Sequence, residues 1–400
     1  MADKLSSKER LLSTINHSEI DHVPFCQKFW QRRYLSNQTD GWRDQFERVT
    51  KTTRLGLDDT VGFDIPRTFS PEVKITRRKE VLPGESQVFL FQEYETPKGT
   101  LKQIVRQTPD WPHGDNVPIF TDFVVPRGRS KKYLVETMDD VEALSCLFSE
   151  LSEVQLRKFE DHVNQVTDFA RQNELLVECG ATLASPEWID GDSIFLGDAL
   201  GWLCGLENSV MMAARNPELL HRLLDVISSW SLQSIRLITQ FGGCDMVVHR
   251  GWYEYYWSPK LYRTFLAPRI KKEVDLAHRA GAKYCYVMTT GITPFLNLFK
   301  EMGVDILYGV DPVQGNVNLK EIKETLVDQV CIWGGVNAAV TLTGNKQGVE
   351  KAVEDAIRIL SPKGGFILGA IDTLYEDTIW DNFVTMIQSW RKVSQQVNCP

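Results

Sequence analysis

The chain has 400 residues, 42% hydrophobic and 24% charged, enough to bury a large core in one elaborated domain or in two. A net charge of −8, with no basic run interleaved with aromatics, argues against nucleic acid as a partner, because neutralising phosphates needs a basic face. The opening MADKLSSKERLL has no apolar h-region and no run of about 18 apolar residues occurs, so a soluble cytoplasmic protein with no membrane partner is expected.

In chain order, "SSKERLLSTINHSEIDHVPF" reads as a helix with Ser6 or Ser7 near its N-cap, ending before Asp21 and the turn into Val23-Pro24. A polar helical stretch and "RLGLDDTVGFDIP" follow. From about 66 to 134 the pattern becomes alternating, as in "EVKITRRKEV" and "SQVFLFQEYETPKGTLKQIVRQT", with Pro-Gly and Lys-Gly turns. This marks a small antiparallel β insertion between residues 1–65, which hold N-terminal helices and the start of the main fold, and 135–400, which hold its remainder.

Beyond 135 a repeat sets in. "TMDDVEALSCLFSELSEVQLRKFEDHVNQVTDFARQ" leads into "LLVECGA", "NPELLHRLLDVISSWSLQSIRLITQFG" into "CDMVVHRG", and "PKLYRTFLAPRIKKEVDLAHRAG" into "KYCYVMTTG". "TPFLNLFKEMG", "LKEIKETLVDQ" and "KQGVEKAVEDAIRILSPKG" lead into "VDILYGVDP", "VCIWGGVN" and "GFILGAID". Helices with an i, i+3, i+4 apolar stripe alternating with short Val/Ile/Leu strands predict a parallel sheet. With no GxGxxG after a first strand, a closed (β/α)8 barrel fits better than an open sheet. Eight cysteines without a CxxC pair suggest neither a disulfide framework nor a zinc ribbon; Cys179, Cys244, Cys285 and Cys331 read as buried reduced thiols.

A barrel confines chemistry to the residues just after each strand. Those are Glu178-Cys179-Gly180, His249-Arg250-Gly251-Trp252, Met288-Thr289-Thr290-Gly291, Gly309-Val310-Asp311, Gly334-Gly335-Val336-Asn337 and Gly369-Ala370-Ile371-Asp372. His249 is the sole histidine at such an end, and a near-neutral pKa suits it to protonate a leaving oxygen. Glu178 would face the barrel axis, where a carboxylate is costly unless paired or used, with Arg250 as an ion partner. "HRGWYEYYW" places Trp252, Tyr253, Tyr255 and Tyr256 near the mouth, where aromatic walls with polar tips suit a flat, partly apolar ligand; packing as a small core of their own is the competing reading. Met288 and Thr290 read as a pocket wall, and Asp311, Asn337 and Asp372 as further polar groups at strand ends.

Several segments resemble the uroporphyrinogen decarboxylase-like superfamily. They are "KERLLSTINHSEIDHVP", "NPELLHRLLDVISSW", the run from "GGCDMVVHRGWYEYYWSPKLYRTFLAPRIKK" to "AGAK", and "GGVNAAVTLTGNKQGVEKAVEDAIRIL". The resemblance implies a (β/α)8 barrel, and the length and β insertion look more like the methyltransferase-related members than the porphyrinogen decarboxylases. Zinc methyltransferases of the superfamily carry H-x-C-G where this chain has Met288-Thr289-Thr290-Gly291, and a last-strand Cys where it has Gly369-Ala370-Ile371-Asp372, so zinc is not expected. Porphyrinogen decarboxylases carry R-Q-A-G-R-Y near the N-terminus. Here only Arg33-Tyr34 matches, with Phe29 at the first Arg, too few cations for an octa-anionic tetrapyrrole.

The resemblance therefore points to demethylation of a small methylated substrate, such as a methoxylated aromatic, with the methyl group passed to a corrinoid on a partner protein or to tetrahydrofolate. A cofactor-free decarboxylase or lyase of a small acid, using Arg33 or Arg250, and a barrel that only binds a ligand are the alternatives. Pairing with a second copy of the chain is left open.

Overall fold

The computed structural model describes residues 4–28, 42–180, 196–326, 328–371, 374 and 378–396. Its strands are β1 (Thr60–Phe63), β2 (Thr68–Phe69), β3 (Lys74–Val81), β4 (Val88–Thr96), β5 (Gly99–Arg106), β6 (Ser130–Lys132), β7 (Phe148–Ser149), β8 (Leu176–Cys179), β9 (Met246–Arg250), β10 (Lys283–Val287), β11 (Ile306–Val310), β12 (Cys331–Asn337) and β13 (Phe366–Ile371). β1 and β8 to β13 form one parallel sheet in the order β1-β8-β9-β10-β11-β12-β13. Its two edges meet through Phe25 and Cys26, which bridge in parallel to Leu368 and to Asp58. Cys26 N–H donates to Leu368 O (3.0 Å) and Asp58 N–H to Phe25 O (2.9 Å). An eighth segment only two residues long thus closes the ring, and the fold is a TIM-barrel-like α/β structure as expected.

Strand alternation splits the core in two. One cluster, with Leu176, Met246, Val248, Cys285, Tyr308 and Trp333, fills the lumen; Leu11 and Ile15, from the helix Ser7–Ile15, belong to it and plug its N-terminal end. The larger cluster, with Val177, Val247, Tyr284, Tyr286 and Leu307, packs between strands and helices. The KER…DHVP segment explains how the plug is fixed. A capping box joins Ser6 and Glu9 at the helix start, and Arg10 donates to Asp21 (2.7 Å) and Asp58 (2.6 Å), clamping the helix to the turn and to the strand that closes the ring. Burial nevertheless lifts Asp58 to about 6, against the opposing charge of Arg10.

β3 to β6 form an antiparallel four-stranded sheet and β2 pairs with β7 in a two-stranded ribbon. The continuous helix expected from Thr137 to Gln172 is instead two, Met138–Leu144 and Glu153–Asn173. Between them Phe148 pairs with Phe69, ring centroids 5.4 Å apart, and Ser152 starts the second helix with its own capping box. The seven described cysteines are free. Among the described residues no helix is long and apolar enough to cross a membrane.

Candidate active site

The C-terminal end of the lumen carries a charged pair with aromatic neighbours. Glu178 alternates with lumen residue Leu176 on β8 and is 4% exposed. Its two carboxylate oxygens both lie 2.6 Å from Nζ of Lys28, two residues beyond the bridging Cys26. Lys28 also donates to Thr60 Oγ1 (2.8 Å), and its Nζ sits 4.9 Å from the Trp333 ring centroid. Trp333 is fixed by its indole N–H to Cys26 O (2.9 Å) and stands edge-on to Tyr308 at 5.3 Å. The Lys28 side chain is 23% exposed against 5% for Glu178, so Lys28 is the more accessible member of the pair. Next around the mouth, Arg250 is buried at the end of β9 in register with lumen residue Val287, and Trp252 packs on the lumen cluster. Burial holds the Asp198 carboxyl well above the usual carboxylate range, with the charge of Arg250 pulling the other way. Asp198 also accepts from Tyr253 N–H (3.3 Å).

His249 does not face this mouth. One residue before Arg250, it points out of the barrel and is fully buried. Its Nε2 is 3.2 Å from Glu254 and its Nδ1 3.1 Å from Glu273. Tyr284 donates to Glu273 at 2.6 Å and lies 2.9 Å from Nδ1, while Tyr286 stacks on the imidazole at 4.8 Å. Burial would lower the imidazole pKa, but the hydrogen bonds and charges of Glu254 and Glu273 together raise it to about 9. A buried imidazolium thus ties the loop after β9 to the helix Ala267–Arg279. Close packing repeats the theme: a Cβ on Gly251 would stand 2.6 Å from the Tyr286 hydroxyl, and one on Gly197 would stand 2.6 Å from Arg250 O.

The remaining expected groups divide in the same way. Met288 is wholly buried in the outer cluster, because it continues the outward parity of Tyr284 and Tyr286, and so is no pocket wall. Thr290 is exposed on the mouth loop, while neighbouring Thr289 is buried with a hydroxyl that has no protein partner. Asp311 accepts from Val313 N–H (2.7 Å) and from Asn337 Nδ2 (2.7 Å), and Asn337 Oδ1 accepts from Val340 N–H (2.6 Å). Both are spent on shaping their loops. The rings of Tyr255 and Tyr256 pack against each other tilted, with centroids 4.5 Å apart, and Tyr256 is 48% exposed. Arg33 and Asp372 lie outside the described residues. Among the described residues no group of three or more His, Cys, Asp or Glu is arranged to hold a metal ion.

Lys28 and Trp333 were the residues that strand-end reasoning missed. The available signal was parity: Cys26 and Lys28 share a face, as do Cys331 and Trp333.

Residues 201–393, which carry β9 to β13 and their helices, match the family model for uroporphyrinogen decarboxylase. Over that part, a little under half of its length, the chain is similar to the uroporphyrinogen decarboxylase family. A uroporphyrinogen decarboxylase from Parasynechococcus marenigrum is 28% identical over 148 residues, a match spanning 37% of this chain and 40% of that protein. A methyltransferase from Methanosarcina mazei has the same overall fold along almost its whole length. It has a TM-score of 0.56, with 97% of this chain and 99% of that one covered, at 14% identity.

Proposed function

We propose that this barrel is an enzyme that removes a methyl group from a small methylated substrate, a methoxylated aromatic in its simplest form. The acceptor is a corrinoid on a separate protein or tetrahydrofolate. The observation that carries this reading is the Lys28–Glu178 pair, a proton-bearing group against Trp333, with Tyr308 edge-on to that ring and Trp252 packed on the same lumen cluster.

When an aryl methyl ether is cleaved, the C–O electron pair stays on oxygen and must be met by a proton. Lys28 Nζ gives that proton and Glu178 holds the ammonium in place until the pair is reprotonated from solvent. A reduced corrinoid, when bound, supplies the nucleophile that takes the methyl group. Tyr256, Val313, Val340 and Ile379, exposed on loops after β9, β11, β12 and β13, give the mouth an apolar rim that suits such a flat partner group. Arg250, Trp252, Tyr253 and Tyr255 orient the substrate, and His249 is a positioning residue that holds their loop.

Two cations near the mouth, Lys28 and Arg250, also favour a second reading, decarboxylation of a small acid. Incubation with 2-methoxyphenol separates the two. Methyl transfer yields catechol only when cob(I)alamin or tetrahydrofolate is present, whereas a decarboxylase releases carbon dioxide from an aromatic acid with no acceptor. Turnover in neither mixture contradicts both.

A further inference from the structure

Away from the mouth, the ribbon of β2 and β7 meets the helix Pro217–Phe241. Here a cavity of about 240 Å³ is lined by Arg67, Phe148, Ser149, Ser234, Gln233 and Leu237 among others, none of them a mouth residue. Arg67 donates through Nη2 to Ser234 Oγ (3.0 Å), and its guanidinium lies 6.0 Å from the Trp230 ring centroid. Its Nε is buried without an acceptor. The contrast with the other sequestered arginines is informative. Arg10 has Asp21 and Asp58, Arg48 has Asp59 and Arg269 has Asp225, and Arg250 acts on the buried carboxyl of Asp198, whereas no carboxylate among the described residues pairs with Arg67. A half-buried guanidinium with its Nε–H sealed off and no counter-charge is costly, and burial accordingly pushes the Arg67 pKa down.

We propose that this cavity binds a small organic oxyanion, a carboxylate or phosphate monoester on a short apolar stem, with Arg67 as its counter-charge. A guanidinium Nε–H without a protein acceptor suits an oxyanion, and the adjoining Ser234 and Ser149 offer neutral donors. Phe148 and Leu237 provide the surface for the stem. The volume lies below the roughly 300–1,000 Å³ of drug-sized ligand sites, which sets the ligand's size. Glu150 and Arg236, both exposed among the lining residues, offset each other, so the selecting charge is Arg67.

Calorimetric titration of the full chain with benzoate, phenyl phosphate and inorganic phosphate tests the site. Saturable binding of benzoate or phenyl phosphate is expected, weakened at least about tenfold by Arg67→Gln. Leu237→Trp, which fills the cavity and leaves Arg67 in place, should weaken it as much and decides the matter if Arg67→Gln fails to fold. Benzoate alone would assign a carboxylate ligand, and phenyl phosphate alone a phosphate monoester. Saturation by neither in the wild-type chain overturns the proposal, even with inorganic phosphate bound. So does binding that survives the variants, since it then belongs to the barrel mouth.

Discussion

Strand β9 ends in two adjacent side chains with opposite surroundings. Arg250 turns toward the barrel mouth, beside the aromatic loop, and shares that end of the barrel with the Lys28–Glu178 pair. His249 turns outward into a sealed layer, between Glu254 and Glu273 with Tyr284 and Tyr286 against it. Both regions hold a cation against carboxylate, yet they differ in access: the Lys28 side chain is 23% exposed and His249 is 0% exposed. A proton that can be delivered to a substrate must sit on the first kind of group. A proton locked on the second kind holds structure.

The sharpest way to break this contrast is to remove one charge from each region. Glu178→Gln or Lys28→Met is expected to lower turnover about 10²- to 10⁴-fold, the usual weight of a general acid, while the far-ultraviolet circular dichroism spectrum is kept. His249→Ala strands two buried carboxylates and is expected to cost about 3–5 kcal/mol in denaturant unfolding, with any activity loss following the loss of folded protein. If the effects were reversed, turnover depending on His249 and stability on Glu178, the two roles would have to be exchanged.

pH separates the regions next. The His249 pKa is raised from 6.5 to about 9 in the folded chain. Its contribution is therefore fully present below about pH 6.5 and is lost as the pH rises through about 9. At about 1.4 kcal/mol per tenfold change in proton affinity, the sum is about 3 kcal/mol. Urea unfolding midpoints measured across that window should fall in the wild type and stay flatter in His249→Gln. The smallest expected effect is at the plug: Ser6→Ala removes the N-cap of the first helix and should cost about 1 kcal/mol with unchanged turnover.

Periodicity was sufficient to read the barrel, since each of β8 to β13 follows an amphipathic helix and ends in a polar turn. The closing strand was not legible, because Phe25–Cys26 is too short to show alternation and is defined by its two neighbours. The mouth was half legible. Glu178 and Arg250 were singled out because charge at a strand end is unusual, and both have lumen parity, but Lys28 follows a bridge rather than a recognisable strand. His249 and Met288 were misplaced for one physical reason. Successive side chains alternate across a strand, so a shift of one residue moves a group from the mouth to the helix layer. Parity against apolar neighbours, Val247 outward and Val248 inward, carried the information that position after a strand did not.

The most direct measurement is catechol formation from 2-methoxyphenol with cob(I)alamin or tetrahydrofolate, comparing wild type, Glu178→Gln and His249→Gln at equal concentrations of folded protein. The account predicts acceptor-dependent product from the wild type, near loss in Glu178→Gln, and most of the rate retained in His249→Gln. Full activity in Glu178→Gln would contradict it.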